Sequence, residues 1–272
     1  MSTLYDTGAF LETAIQAARR AGEVILRNLG RVSKDDIGQK QASDFVTSVD
    51  KESERLIIGT IKERFPDHHI LAEESTHEAA SGGYRWIVDP LDGTTNFIHQ
   101  FPVFAVSIAL EYKQETITGA VFEPLRGDLY TAEKGKGAYL NGKRIAVSAT
   151  ADPHYSLIAT GFPFKRRDLI DPYLILFKNI LLKVSDLRRA GSAALDLAYL
   201  AAGRCEAFYE IGLSAWDVAA GSLLVAEAGG VVTDFGGGPD YLSTGNIVAG
   251  NPGIHPVILE EVRGVFGGSI RR

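Results

Sequence analysis

In 272 residues the chain has one cysteine, one methionine and two tryptophans. A lone Cys205 can neither close an intramolecular disulfide nor build a cysteine-based zinc site, and such sparing use suits a reducing compartment. Long apolar runs are missing as well: no segment approaches the roughly 18 uninterrupted apolar residues of a membrane span. The N-terminus also lacks the basic, then apolar, then small-residue pattern of a cleaved leader. A cytoplasmic protein without a membrane partner is expected. Positive charge is short too. Net charge is −6, and no basic cluster exceeds Lys165-Arg166-Arg167, so no nucleic-acid surface is indicated; Arg271-Arg272 reads as a solvated tail. What remains is an ordinary globular composition, 45% hydrophobic and 23% charged, with material for one large domain or two fused halves.

Periodicity supplies the elements. Phe10, Ala14, Ala17, Ala21, Val24 and Leu29 recur at three- and four-residue spacing, which predicts a long amphipathic helix ending near Gly30. Charged residues 31–40 read as a flexible loop, and a second helix is expected from about Asp50 to Phe65, where Pro66 stops it. Ile70 to Ala72 and Trp86 to Val88 read as buried strands that release acidic residues at their C-terminal ends, the place where open α/β sheets put ligands. From Phe104 to Val147 strand patterns dominate, with Asn141-Gly142 as a hairpin turn, predicting a mostly antiparallel sheet. Beyond Asp152, strands near Ser156–Thr160, Ala207–Tyr209, Val231–Thr233 and Ile247–Ala249 alternate with helices near Leu169–Leu182, Ser192–Ala202, Ala215–Ala228 and Pro252–Val265. The expected fold class is therefore α/β, layered, with an N-terminal half over 1–150, a C-terminal half over 151–272, and one compact unit formed by both.

Chemistry concentrates in Asp89-Pro90-Leu91-Asp92-Gly93-Thr94-Thr95. Pro90 denies Asp89 a helical backbone and has no amide donor, so the strand is expected to break there, leaving Asp89 and Asp92 facing one small space. Asp92 has the chemistry of a helix N-cap, and Gly93, Thr94 and Thr95 after it would offer backbone N–H groups to an anion. Hard oxygen donors of this kind, with the Leu91 carbonyl beside them, suit magnesium. A capped helix after a strand is the plainer explanation of such a pair. Three further acidic features weigh against it. Glu73 and Glu74 stand at a strand end, Asp217 in the first turn of an otherwise apolar helix, and Asp50 at another helix start.

With these residues in place, the chain resembles the inositol monophosphatase family of magnesium-dependent, lithium-sensitive phosphatases over nearly its whole length. Asp89 to Thr94 matches the Asp-Pro-(Ile/Leu)-Asp-Gly-Thr motif, and Thr95 to His99 its Thr-Asn-Phe-x-His extension. Trp216 to Gly221 matches Trp-Asp-x-Ala-(Ala/Gly)-Gly. The resemblance implies an αβαβα sandwich and two to three Mg²⁺ ions. Glu73, Asp89 and the Leu91 carbonyl would hold the first ion and Asp89, Asp92 and Asp217 the second, with Glu73 also serving a weaker third. It further implies hydrolysis of a small phosphate monoester by metal-activated water. Thr94 and Glu73 would orient that water, Asp50 would anchor Thr94, and the amides of Gly93, Thr94 and Thr95 would hold phosphate. Inositol-ring contacts fall on Asp92, the Ala193 amide and Glu210, with Glu210 as the specificity candidate. A homodimer is implied too. Fructose-1,6-bisphosphatase activity, 3′-phosphonucleotide phosphatase activity and a non-catalytic regulatory role on the same fold are the alternatives.

Residues outside the motifs carry plainer expectations. His68, His69 and His77 fit no helix-borne metal pair and read as solvated loop residues; His99 is expected to pack or cap. Lys40 lies near where the family has a lysine by the third metal, one residue off its spacing. Gly161 to Phe164 is an aromatic stretch that could border the substrate mouth or simply belong to the core.

Overall fold

The computed structural model describes residues 7–33, 37–41, 44–75 and 83–267; His77, Arg271, Arg272 and the side chain of Lys40 lie outside that description. Helix α1 (Thr7–Asn28) and helix α2 (Ser48–Arg64) lie against one another. Each turns an apolar stripe inward: Ala14, Ala17, Ala21 and Ile25 on the first, Val49, Ile57 and Ile61 on the second, all buried. Residues 31–40 are not all loop. Ile37–Gln41 forms strand β1, paired antiparallel with β2 (Asp44–Thr47). A two-stranded ribbon of this kind shows no clear hydrophobic alternation, so its pattern does not announce a strand.

The first large sheet has seven strands in the order β3 (His69–Ala72), β4 (Tyr84–Asp92), β5 (Ala105–Tyr112), β6 (Glu115–Glu123), β7 (Asp128–Glu133), β8 (Gly137–Leu140) and β9 (Lys143–Ile145). Only β3 and β4 run parallel; the other pairs are antiparallel, as the short connections require. Asn141 and Gly142 turn β8 into β9 with φ of 50° and 77°, the two positive values that a two-residue hairpin demands. Between β4 and β5 stands the single-turn helix α3 (Thr94–Ile98).

The second sheet is mixed, with strand order β11 (Asp186–Arg188), β10 (Leu157–Thr160), β12 (Ala207–Glu210), β14 (Ile247–Gly250) and β13 (Val231–Thr233). β10 runs parallel to both its neighbours, while β14 is antiparallel to β12 and β13. The helices of this part are α4 (Ile170–Leu181), α5 (Ala193–Ala201), α6 (Ala215–Glu227), α7 (Tyr241–Thr244) and α8 (His255–Phe266). β11 and α7 were not expected: β11 has one apolar residue at a sheet edge, and α7 is a single turn.

Contacts among these elements define five layers: α1 and α2, the seven-stranded sheet, α5 and α6, the five-stranded sheet, then α4 and α8. The middle layer is covered on both faces, which is why α5 is apolar nearly all round, with Ala193 to Ala198 buried. This is a mixed α/β sandwich of the αβαβα kind. No helix of the described residues is long and apolar enough to cross a membrane.

Candidate metal centre and its recess

Strand β4 does not end at Val88. It runs on through Asp92 and keeps its pairing with β5, Asp89 opposite Ser107 and Asp92 opposite Ala105. Three steps on β4 thus match two on β5, so one extra residue is accommodated as a bulge. Residues three apart on a regular strand face opposite sides. The bulge at Pro90-Leu91 brings both carboxylates to one side, and Pro90 has no N–H for the ladder to lose. Asp92 is consequently not the N-cap of α3. That position belongs to Gly93, whose φ of 93° is left-handed and whose missing side chain leaves room for the Val103 carbonyl, which a Cβ would approach to 2.9 Å.

Each acidic side chain is held by donors from its own surroundings. Asp89 Oδ1 accepts the Leu91 amide at 3.0 Å. Asp92 Oδ2 accepts the Ser192 hydroxyl at 2.6 Å and the Ala194 amide at 2.7 Å, which ties β4 to the start of α5. Asp217 Oδ2 accepts the Ser214 amide at 2.6 Å, closing a capping box at the start of α6. Carboxylate oxygens of Asp89, Asp92 and Asp217 lie within 4.8 Å of one another. Glu73, whose amide donates to the Val88 carbonyl at 3.2 Å, lines the same recess, as do Leu91, Gly93, Thr94 and Thr95.

Asp50 does two jobs. Its Oδ2 accepts the Thr47 amide at 2.8 Å and hydroxyl at 2.5 Å, capping α2, while its Oδ1 accepts the Thr94 hydroxyl at 2.8 Å. The Thr94 oxygen also lies 3.1 Å from the Leu91 carbonyl, and its one hydrogen serves one acceptor at a time, so the shorter contact to the carboxylate is the natural one.

The recess has a volume of about 410 Å³ and lies between the end of β4 and the end of β12, at the starts of α5 and α6. Its second wall carries Ala193, Glu210 at the end of β12, Arg189, and the Gly161, Phe162, Phe164 and Lys165 stretch. The aromatic stretch therefore borders the mouth. Arg189 sits over the Phe162 ring at 5.3 Å, and Asn96 donates to the Val103 carbonyl of the segment after α3 at 2.7 Å and, across to the other wall, to the Ala190 carbonyl at 2.9 Å. Ser192, Arg189, Lys165 and Asn96 were not assigned to the site from the sequence, although Asn96 lies inside the Thr95 to His99 motif, Ser192 at an expected helix start and Lys165 in the basic cluster. Of the histidines, His68 is no solvated loop residue: it stacks between Phe65 and Tyr84, with centroids 4.7 and 4.6 Å away, and accepts the Trp86 indole N–H at 3.1 Å. His99 caps α3.

Desolvation governs the electrostatics because the carboxylates face a recess rather than open water. It raises Asp89 well above the usual carboxylate range, with Glu73, Asp92 and Asp217 adding repulsion. Asp217 is pushed to about 8 by burial and by the charges of Asp92 and Glu73. Burial lifts Asp92 to about 6, opposed by its bonds from Ser192 and Ala194. Burial likewise raises Asp50, against the bonds from Thr47 and Thr94, and raises Glu210 well above its ordinary value. A group of hard oxygen donors that resists ionisation without counter-charge is a place for a cation, and the donor set fits one.

An acidic cluster able to hold a metal, set between the two sheets of a five-layer α/β sandwich, defines the class. The chain belongs to the inositol monophosphatase family, whose sequence profile matches residues 6–265. It is similar to Nus factor SuhB of Salmonella typhimurium strain LT2, 48% identical over 263 residues covering 96% of this chain and 98% of that protein. Among solved structures, it resembles the extragenic suppressor protein suhB of Bartonella henselae, with 42% identity and a TM-score of 0.90 over 94% of this chain and 98% of that one. It also resembles the inositol monophosphatase of Anabaena (Nostoc) sp. PCC 7120, with 38% identity and a TM-score of 0.86 over 96% and 98%.

Proposed function

We propose that this protein is a magnesium-dependent phosphate monoester hydrolase acting on myo-inositol monophosphate or a similar sugar phosphate. The observation that carries the reading is the meeting of Asp89, Asp92 and Asp217 within 4.8 Å at one wall of a recess whose other wall presents Glu210. Two to three Mg²⁺ ions would be held by Glu73, Asp89, the Leu91 carbonyl, Asp92 and Asp217. Bound there, magnesium supplies positive charge for the phosphate and acidifies water.

The chain's own groups do the rest. With its hydrogen engaged by Asp50, the Thr94 oxygen is left to accept a hydrogen bond from the attacking water, and Glu73 helps orient that water. Amides of Gly93, Thr94 and Thr95 hold phosphate oxygens. Asp92, the Ala193 amide and Glu210 receive the hydroxyl-bearing part of the substrate, and a carboxylate accepting two hydroxyl hydrogens suits a polyol. The same reading includes a cytoplasmic homodimer, sensitivity to lithium, and two halves, 1–150 and 151–272, that build one compact unit.

A second reading is favoured by the relatives named Nus factor: a regulatory role on the same fold, with or without turnover. Phosphate release from myo-inositol 1-phosphate, fructose 1,6-bisphosphate and 3′-phosphoadenosine 5′-phosphate, each with and without magnesium, separates these. Turnover of the first supports the main reading, and preference for either of the others reassigns the substrate. Silence on all three leaves the regulatory role.

A further inference from the structure

Glu210 owes its place to a side chain that is not there. In the register of β10 against β12, Ile158 stands opposite Ala207, Ala159 opposite Phe208 and Thr160 opposite Tyr209, so the next step sets Gly161 beside Glu210. On the other side of β12 the partner of Glu210 is Ile247, a branched residue. The carboxyl group lies on the glycine side. A Cβ built on Gly161 would stand 1.9 Å from Glu210 Cδ, 2.0 Å from Oε1 and 2.2 Å from Oε2, occupying the volume the carboxylate fills. Gly161 has no left-handed φ, so flexibility of the backbone is not what glycine provides there. It provides clearance.

We propose that Gly161 is a specificity-positioning residue: by leaving this space open it lets the Glu210 carboxylate lie over β10 and face the recess where the hydroxyls of the substrate bind. The inference rests on the role proposed for Glu210. Any side chain at 161 displaces the carboxylate rather than the backbone, because the three nearest atoms all belong to the movable end of Glu210. The metal-binding wall is built from other residues, so the displacement acts on recognition and not on the chemical step.

The test compares Gly161→Ala, Glu210→Ala and the double variant on myo-inositol 1-phosphate and on p-nitrophenyl phosphate, which has no hydroxyls for Glu210 to read. Gly161→Ala is expected to raise KM for the inositol ester about tenfold with little change in kcat, as losing a carboxylate–hydroxyl contact would. KM for the aryl ester should stay near that of the parent, and the double variant should match Glu210→Ala alone. Effects that add in the double variant, or that fall equally on both esters, overturn the proposal. So does an unchanged KM for the inositol ester in Gly161→Ala. If Glu210→Ala is silent, the role of Glu210 fails and the proposal fails with it; if Glu210→Ala acts and Gly161→Ala does not, only the proposal fails. A crystal structure of Gly161→Ala gives a reading free of activity: the carboxylate must have left its place over residue 161, and finding it unmoved contradicts the proposal.

Discussion

The two walls of the recess hold their carboxylates by opposite means. On the β4 side, Asp89, Asp92 and Asp217, with Asp50 buried behind Thr94, each accept hydrogen bonds from nearby amides or hydroxyls, so their positions are built into helix starts and a strand bulge. On the β12 side, Glu210 is placed by clearance over Gly161, where burial and the charges of Asp196 and Asp217 raise its pKa and Arg189 partly opposes them. The first wall gathers carboxylates whose like charges must be relieved by bound protons or by a cation. The second offers a buried carboxylate near Arg189, which on the proposed reading accepts hydroxyl hydrogens of the substrate. On the proposed function, the first wall serves chemistry and the second recognition, and substitutions on the two should therefore fail differently.

The largest expected effect is on the metal wall. Asp217→Asn should lower the magnesium-dependent kcat by about 10³-fold while far-UV circular dichroism and melting stay close to the parent. A rate within a few-fold of the parent would remove Asp217 from the site. Next comes Thr94→Ala, expected to cost about a hundredfold in kcat, with Thr94→Ser restoring most of it because the hydroxyl bonded to Asp50 returns. Equal losses in both variants would show that the hydroxyl is not what matters.

How far these residues were legible in the sequence follows the same division. Asp89, Asp92, Thr94 and Asp217 could be singled out because residue type and local spacing suggest their chemistry and the family resemblance outweighs the plainer capping explanation, and the order of helices and strands followed from apolar periodicity. What the sequence hid is contact between distant segments. The bulge that turns Asp89 and Asp92 to one side depends on pairing with β5, and the donors to Asp92 come from Ser192 and Ala194, a hundred positions away in sequence. Asp92 was expected to cap α3, since an aspartate before a turn ordinarily does; sheet pairing claimed it instead and left the cap to Gly93. His68 was misplaced for the same reason, because its stacking partner Tyr84 arrives from β4.

On the recognition wall the effects should be smaller. Glu210→Gln keeps the shape but not the charge, and should raise KM for myo-inositol 1-phosphate by about tenfold at most while sparing p-nitrophenyl phosphate. An unchanged preference between the two esters would erase the distinction between the walls. The smallest effect is thermodynamic. In the metal-free protein Asp92 and Asp217 have pKa values raised from 3.8 to about 6 and about 8, so the folded state keeps protons that the unfolded chain gives up. Their stabilisation is complete below pH 3.8 and is lost as pH rises through 6 and 8. Melting of the metal-free protein should therefore fall by about 5 °C between pH 5 and pH 8.5, and magnesium should restore more at the higher pH. A melting temperature indifferent to both would contradict the clustering of charge.

The central claim is that the acidic wall works with magnesium on a phosphate monoester presented by the polyol-facing wall. Initial rates of phosphate release from myo-inositol 1-phosphate, measured for the purified protein as magnesium is titrated from a chelated baseline, test it most directly. The account predicts no release at the baseline and a saturable rise with magnesium that Asp217→Asn abolishes. Release that ignores magnesium, or that survives unchanged in Asp217→Asn, would contradict it.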